Sequence, residues 1–242
     1  MTLRERYRDA ADWLIPVLVG LAIAFAGVAP WVAMIRLNAQ LRPDLPWAAL
    51  ATLLWLALFL AWLNGVGPPK RWQAARRYRL RLRGANSKAW SKDGIAVTLA
   101  LIGMIALLGL AWILLGAPAR PPDLSAYPST AFLLSTLFMG PLVAGVVEEA
   151  AFRGYMQRGL ERYGAQTAIL VSALLFALAH ATQGLGTLLV MGPGLFAAGA
   201  LYGMLAWHTG SILPGMIVHV LSDLAFYYFG ILGGNWRLLI VH

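Results

Sequence analysis

The chain has 242 residues, of which 60% are apolar and only 12% are charged, and its mean hydropathy is +0.70. In soluble domains about a quarter of the residues are charged, so this composition excludes a water-soluble enzyme and a disordered chain. The sequence has no cysteine, which excludes disulfides, thiolate metal sites and a cysteine nucleophile.

Long apolar runs follow one another along the chain, and each approaches the roughly 20 residues that a membrane-spanning helix needs. The seven runs are residues 13–35, 46–63, 95–115, 130–152, 166–181, 185–207 and 212–229. They predict an all-α fold: a polytopic transmembrane helical bundle of about seven spans (six to eight), with no separate soluble domain. The first run continues well past a sequence resembling a signal-peptide cleavage site, so we expect an uncleaved anchor. The final apolar stretch, 236–241, is too short to cross.

The net charge of +9 is concentrated in one loop, residues 70–92, which contains nine basic residues and no acid. These are Lys70, Arg71, Arg76, Arg77, Arg79, Arg81, Arg83, Lys88 and Lys92. Because basic loops remain in the cytoplasm, we expect this loop and the N-terminus inside, in an integral protein of a bacterial inner membrane. A solvated loop is favoured over one that binds anionic lipid headgroups. The expected partners are the lipid bilayer and a protein or peptide substrate, and not nucleic acid. The sequence does not indicate the oligomeric state.

Two features of the sixth run concern helix packing. Gly199 and Gly203 form a pair of small residues one turn apart, which predicts close approach of a neighbouring helix. The sequence Gly192-Pro193-Gly194 predicts a break in this run, and broken backbone at membrane depth is tolerated only inside protein or against water.

Charged residues inside the apolar runs are the main functional signal. Seven of the ten acids lie in loops or tails, whereas three fall inside runs together with two histidines, and an arginine closes the fourth run. The six are Glu148, Glu149, Arg153, His180, His219 and Asp223. Each charged group at mid-membrane costs about 2.5–3.5 kcal/mol. We therefore expect a functional site, and structural ion pairing is the competing interpretation.

The spacing of these residues predicts how they meet. Glu149 and Arg153 stand at i and i+4, which favours an ion pair on one helix. Gly164 separates the fourth and fifth runs, with Glu148 sixteen residues before it and His180 sixteen after it. Two antiparallel helical arms would bring that carboxylate level with that imidazole, a pair that can hold and deprotonate a water molecule. Since Glu148 is expected near the cytoplasmic end of the fourth span, this arrangement requires the hairpin to protrude from the bilayer.

Three motifs occur in order: Glu148-Glu149-x-x-x-Arg153, Phe176-x-x-x-His180 and His219-x-x-x-Asp223. They resemble those of the CAAX protease and bacteriocin-processing (CPBP, also called Abi) family of intramembrane endopeptidases. The similarity covers about residues 130–230, the expected protease core. It leaves residues 1–129 as N-terminal transmembrane segments and residues 231–242 as a C-terminal tail.

The resemblance implies a glutamate-dependent endopeptidase acting on a membrane-associated protein or peptide, including lipidated or CAAX-like substrates. It implies that Glu148 activates a water with help from His180. His219 and Asp223 would support the oxyanion, and Glu149 with Arg153 would orient the site.

Two aspects of this chemistry remain open. Glu148, His180 and His219 are residue types that hold catalytic zinc, so a divalent metal and a metal-free glutamate mechanism are equally compatible with the sequence. Asp223 stands where many relatives have Asn, and an ionised Asp could not donate to an oxyanion.

Other mechanisms and other functions fit less well. A zincin-type metalloprotease is disfavoured because neither glutamate lies in an HExxH motif. A serine protease is disfavoured because Ser222 points along the same helix face as His219 rather than toward it. An aspartyl protease would need a second membrane aspartate besides Asp223. A proton-coupled transporter is disfavoured by the lack of inverted repeats. A non-catalytic scaffold or immunity protein of the same fold is disfavoured because all three motifs are complete.

Overall fold

The protein is helical throughout the part that the computed structural model describes, residues 3–82, 94–104, 106 and 127–232, and no strand occurs there. This confirms the all-α prediction, and the described helices form no separate soluble domain. The helices are α1 (Leu3–Leu41), α2 (Trp47–Leu63), α3 (Gln73–Leu80), α4 (Gly94–Met104), α5 (Thr130–Glu148), α6 (Arg158–Leu160), α7 (Ala165–Ala179), α8 (Leu185–Thr209) and α9 (Leu213–Leu232).

Within the described residues, four helical segments are long and apolar enough to cross a membrane: Asp12–Leu41, Thr130–Tyr163, Ala165–Gln183 and Leu188–Thr209. Two further apolar helices, α2 and α4, are shorter, and α9 coincides with the seventh predicted run. The protein is therefore an integral membrane protein. The end of the third predicted run and the tail 236–241 lie outside the described residues.

The helical segment of the fourth run is longer than predicted. After α5 the chain continues through a π-helical stretch (Glu149–Gln157), α6 and a 3₁₀ turn (Glu161–Tyr163). The segment therefore ends at Tyr163 rather than at 152, and Glu148 lies near the middle of 34 helical residues. Whether Glu148 lies near the cytoplasmic end of its span stays a prediction, because the segment is long enough for the hairpin beyond it to protrude from the bilayer. The apolar run ends just before Arg153, but Arg153 and Gln157 are both fully buried against protein, so the helix continues past the run.

A tight hairpin at Gly164 joins this segment to α7. Gly164 has φ +104°, a conformation that is accessible mainly to glycine. Beyond it, α7 returns along the π-helical stretch, and the Ser172 hydroxyl donates a hydrogen bond of 2.9 Å to the carbonyl of Phe152. The break predicted at Gly164 is therefore present, and it brings the second motif back toward the first.

Contacts at the two ends of the bundle define its topology. At one end Arg81 pairs with Glu161, and Arg162 lies 3.4 Å from Asp12. The N-terminal helix, the basic segment and the Gly164 hairpin therefore share this end, as the sidedness prediction requires. At the opposite end the Ser129 hydroxyl donates to the carbonyl of Pro43. Which end faces the cytoplasm remains a prediction.

The predicted break at Gly192-Pro193-Gly194 is wrong, because α8 runs uninterrupted from Leu185 to Thr209. A proline inside a helix removes one backbone hydrogen bond, but complete unwinding would leave several polar groups without partners in lipid. A Cβ added at Gly194 would meet no atom within 4 Å. This stretch therefore gives no support for an internal cavity.

The crossing of α5 and α9 positions the candidate site. At Gly145, one turn before Glu149, an added Cβ would lie 2.5 Å from Val220 Cγ2 and 3.0 Å from the Val220 backbone nitrogen. The two backbones can approach this closely only because residue 145 has no side chain. The contact places the acids at the end of α5 directly beside His219 on α9.

Candidate active site

The most deeply buried part of the candidate site is an ion pair between Glu149 and Arg153, the i, i+4 pair that the sequence predicts. Arg153 Nη1 lies 3.2 Å from Glu149 Oε1, and both side chains are fully buried. The second carboxylate oxygen, Oε2, faces Gly215, where an added Cβ would lie only 2.8 Å away. A buried charge needs a partner of opposite sign, and this pair satisfies that requirement.

Arg153 and Gln157 attach the π-helical stretch to α8. Arg153 Nη2 donates to the carbonyl of Gly199 at 3.0 Å, and Gln157 Nε2 donates to the carbonyl of Gly203 at 3.0 Å. The two donors and the two glycines are each four residues apart, so the bonds repeat with the helical turn. The predicted small-residue pair is thus both a packing surface and a pair of acceptors.

Three aromatic rings surround the Arg153 guanidinium. Its Cζ lies 4.5 Å from the ring centroid of Phe176, 5.3 Å from that of Tyr202 and 5.8 Å from that of Phe152. Guanidinium groups are stabilised over aromatic faces, most strongly where water is excluded. The arginine is therefore held by a carboxylate, a backbone carbonyl and aromatic rings together.

His219 is the centre of the cluster. Its Nδ1 lies 3.0 Å from Glu149 Oε1, and its Nε2 lies 3.8 Å from both Glu148 Oε2 and Asp223 Oδ2. Tyr202 stacks on the imidazole, with centroids 4.7 Å apart and planes 18° apart. Adjacent glutamates therefore face the two nitrogens of one ring.

Three of the six predicted residues, Glu148, Asp223 and His180, form a more exposed rim of the site. The side chains of Glu148 and Asp223 are 18% and 28% exposed, whereas that of His219 is buried. His180 is half-buried, and its Nδ1 lies 2.8 Å from the Phe176 carbonyl. His180 also interacts electrostatically with Glu148 and with Asp223. The fold thus brings all three motifs together around one partly accessible space.

The change from α to π winding occurs at Glu149, inside the first motif. Single π turns are rare and often occur at functional sites. Here the π-helical stretch carries both the Glu149–Arg153 pair and Gln157, which all point into protein. This local winding is not predictable from the apolar periodicity of the run.

The contacts at His219 determine its hydrogen-bonding capacity. A carboxylate beside Arg153 is an acceptor, so Nδ1 of His219 carries the proton that Glu149 accepts. The other nitrogen, Nε2, then has a lone pair in the neutral ring and a proton only in the imidazolium. His219 can therefore donate to a group on the rim only in its charged form.

Glu148, His180 and His219 are the three candidate metal ligands. Catalytic zinc needs three protein ligands at about 2.0–2.2 Å. Within the described residues, no group of three or more His, Asp and Glu side chains has an arrangement that could hold a metal ion. Glu148, His180 and His219 are part of this description, so we assign no step to a metal.

Two residues of the site were not found from the sequence. Tyr202 has no charge and lies in an apolar run, so only its position between Gly199 and Gly203 could have indicated the same helix face. Its hydroxyl interacts with Ser222, which itself donates to the Val218 carbonyl at 2.7 Å. Gln157 lay beyond the predicted end of the fourth span.

A helical membrane protein with carboxylates, imidazoles and a guanidinium gathered inside the bundle has an intramembrane polar site. Residues 129–225 match the family model described as type II CAAX prenyl endopeptidase, Rce1-like. The match covers the segment that carries the three motifs, less than half of the chain, and confirms the resemblance seen in them. A search of curated proteins and a search of solved structures each gave no match.

Proposed function

We propose that the protein is an intramembrane endopeptidase that hydrolyses a peptide bond of a membrane-associated protein or peptide. The observation that carries the proposal is the position of His219, which is fixed by Glu149 at one nitrogen and faces Glu148 and Asp223 with the other. A ring that is held at one nitrogen and faces the rim with the other is suited to act on a substrate there.

The first step assigned to Glu148 is proton abstraction. Its carboxylate takes a proton from a bound water, and the resulting hydroxide attacks the carbonyl carbon of the scissile bond. Glu148 then gives the same proton to the leaving amine as the carbon–nitrogen bond breaks. His180, which interacts electrostatically with Glu148, would help to hold the water.

The second assignment concerns the oxyanion that forms on the carbonyl oxygen. The imidazolium of His219 would donate from Nε2, while Nδ1 donates to Glu149 and the carboxyl groups of Glu148 and Asp223 lie near the ring. Hydrogen-bond donors that are already oriented toward a developing negative charge are a large source of catalysis. Asp223, on the same helix face, would be the second group at this oxygen.

The proposal extends to the class of substrate and to the membrane in which the protein lies. The site lies inside a helical bundle with apolar outer surfaces, for example Leu54 and Leu189, so a substrate that is anchored in lipid could reach it. A lipidated or CAAX-like protein is the substrate class that the family match supports best. We assign the protein to a bacterial inner membrane with the N-terminus inside.

The decisive experiment measures cleavage of quenched peptides by the purified protein in detergent. Glu148→Gln and His180→Ala are expected to abolish cleavage while the thermal unfolding midpoint changes little. Matched controls are Asp44→Asn, an exposed acid at the far end, and His208→Ala, an exposed histidine on α8, which should keep wild-type cleavage.

Three outcomes would contradict the proposal in different ways. Full cleavage by either variant would make the general-base assignment wrong. Loss of cleavage only together with unfolding would make the residues structural. Loss of wild-type activity in the presence of a chelator, restored by zinc, would replace the metal-free mechanism with a metal-dependent one.

A further inference from the structure

A second polar cluster lies at the end of the bundle where the basic segment, the Gly164 hairpin and the α8–α9 turn meet. A cavity of about 270 Å³ at this end is lined by Arg81, Arg158, Trp207 and Gly210. It is separate from the candidate active site, because Arg158 lies ten residues along the helix from Glu148, about 15 Å at 1.5 Å per residue. The six motif residues do not line this cavity.

Among the described side chains, the charges at this cavity are not balanced. Glu161 accepts from Arg81 with one carboxylate oxygen and from Arg158 with the other, the latter at 2.7 Å. Two guanidinium groups therefore share one carboxylate, which leaves one positive charge. Asp12, an acid at the same end, is paired with Arg162 instead.

The two arginines also retain unused donors. The Nε atoms of Arg81 and Arg158 are buried and have no hydrogen-bond partner within the described part of the chain. Burial lowers the pKa of Arg81 from its ordinary value, against the opposing effect of Glu161, yet a guanidinium remains charged in proteins. A buried charged donor without a partner is costly, and an anion in the cavity would supply that partner.

The backbone at Arg81 is consistent with a built site. Arg81 has φ +55°, the left-handed conformation that residues other than glycine rarely adopt. Its carbonyl accepts from the backbone nitrogen of Ile212 at 3.4 Å. This conformation directs Arg81, the residue that follows α3, into the bundle rather than into solvent, and its side chain is 5% exposed.

The aromatic side chains beside the cavity are of the types that are found at the level of lipid headgroups. Tyr78, over whose ring the Arg158 guanidinium lies at 4.3 Å, and Trp207 are both partly exposed near helix ends. Tyr and Trp are enriched at the membrane–water interface. The basic segment on the same end is predicted to be cytoplasmic, the side on which anionic phospholipids attract arginine.

From these observations we infer that the cavity binds the phosphate group of one anionic phospholipid, which accepts from Arg81 and Arg158. Planar guanidinium groups suit phosphate oxygens because they can donate two parallel hydrogen bonds. The headgroup would join three parts of the chain, namely the basic segment, the hairpin and the α8–α9 turn. This inference does not depend on the proposed protease activity.

The test measures thermal unfolding of the full chain in an uncharged detergent by tryptophan fluorescence. The additives are short-chain phosphatidylglycerol, short-chain phosphatidylcholine and inorganic phosphate at equal ionic strength. At ten times its half-saturating concentration, phosphatidylglycerol is expected to raise Tm by roughly 3–6 °C, and the other two should not. An equal rise with inorganic phosphate would overturn the lipid assignment, and no selective rise with phosphatidylglycerol would overturn the site.

Variants locate the binding. Arg158→Gln is expected to raise the half-saturating concentration of phosphatidylglycerol by about tenfold or more, since one charge-assisted hydrogen bond is lost. Arg162→Gln, on the next turn but paired with Asp12, is the matched control and should behave as wild type. Should Arg158→Gln fail to fold, Arg158→Lys keeps the charge without the planar group and should weaken binding by a smaller factor. An unchanged response in both Arg158 variants would show that the cavity is not the site.

Discussion

The imidazole of His219 on α9 is bound through Nδ1 to Glu149 at the end of α5, at a distance of 3.0 Å. The same carboxylate oxygen lies 3.2 Å from Arg153 Nη1. A single oxygen therefore joins the first motif to the third and sets the orientation of the ring.

Asp223 can act either as a protonated donor to the oxyanion or as an ionised acceptor, and two substitutions separate these roles. Asp223→Asn is expected to retain most activity, because the amide always presents an N–H donor. Asp223→Ala should lose about 2.7–4 kcal/mol of transition-state stabilisation, the value typical of one oxyanion donor. Peptide cleavage by the three proteins should be measured from about pH 5 to pH 9.

The pH profiles provide the second criterion for Asp223. The Asn variant should lose less activity than wild type at alkaline pH, since its amide has no proton to release. An inactive Asn variant would mean that the carboxylate itself is required, and the oxyanion would then depend on His219 alone.

Arg153 is expected to be essential for folding as well as for the site. Arg153→Met leaves the Glu149 carboxylate buried without its cation, which should cost about 3–5 kcal/mol of unfolding free energy. Arg153→Lys keeps the charge but loses the planar contact with Phe176, so a smaller loss is expected. Unfolding by a denaturing detergent, followed by tryptophan fluorescence, measures both.

A double-mutant cycle then isolates the pair. Glu149→Gln with Arg153→Met should destabilise the protein by less than the sum of the two single changes, because neither charge is left alone. Additive effects would show that the two side chains do not interact in the folded protein.

Gly199 is expected to tolerate no side chain. A Cβ there would lie 3.1 Å from Ala173 Cα, from Arg153 Nη2 and from Phe176 Cδ1. Gly199→Ala should therefore separate α8 from α7, with a loss of about 1–3 kcal/mol and reduced cleavage. The measurement is Tm together with kcat/KM.

Gly194 on the same helix is the matched control for this change. Its surroundings are open, so Gly194→Ala should be neutral or should stabilise the helix by roughly 0.5–1 kcal/mol. Equal effects at positions 194 and 199 would mean that helix propensity, and not the close approach, explains the result.

The predicted topology can be tested because the chain contains no cysteine. Arg77→Cys lies on α3 in the basic segment, and Asp44→Cys lies at the opposite end of the bundle; both positions are exposed. In intact cells an impermeant thiol reagent added outside should label position 44 and not position 77. The reverse pattern would invert the assignment of the cytoplasmic face, and labelling of both would refute the separation of the two ends.

Much of the candidate site was predictable from the sequence because charged residues inside apolar runs are rare. The six motif residues, the Gly164 turn and the Gly199/Gly203 pair were identified without coordinates. The motifs specified residue types and spacing, but not the atoms that meet. That Glu149 binds His219, and that Tyr202 stacks on the same ring, depends on the crossing of α5 and α9 at Gly145.

Hydropathy and the lengths of the apolar runs were sufficient to predict an all-helical membrane protein with most helices near their observed positions. The end of the fourth helical segment and the continuation of α8 through Pro193 depend instead on contacts between helices. The physical reason is that hydropathy describes the transfer of an isolated residue from water to lipid. Arg153 and Gln157 instead enter a protein interior, where the carbonyls of Gly199 and Gly203 accept their hydrogen bonds. Their polarity therefore binds helices together rather than ending one, and this depends on partners more than 40 residues away in the chain.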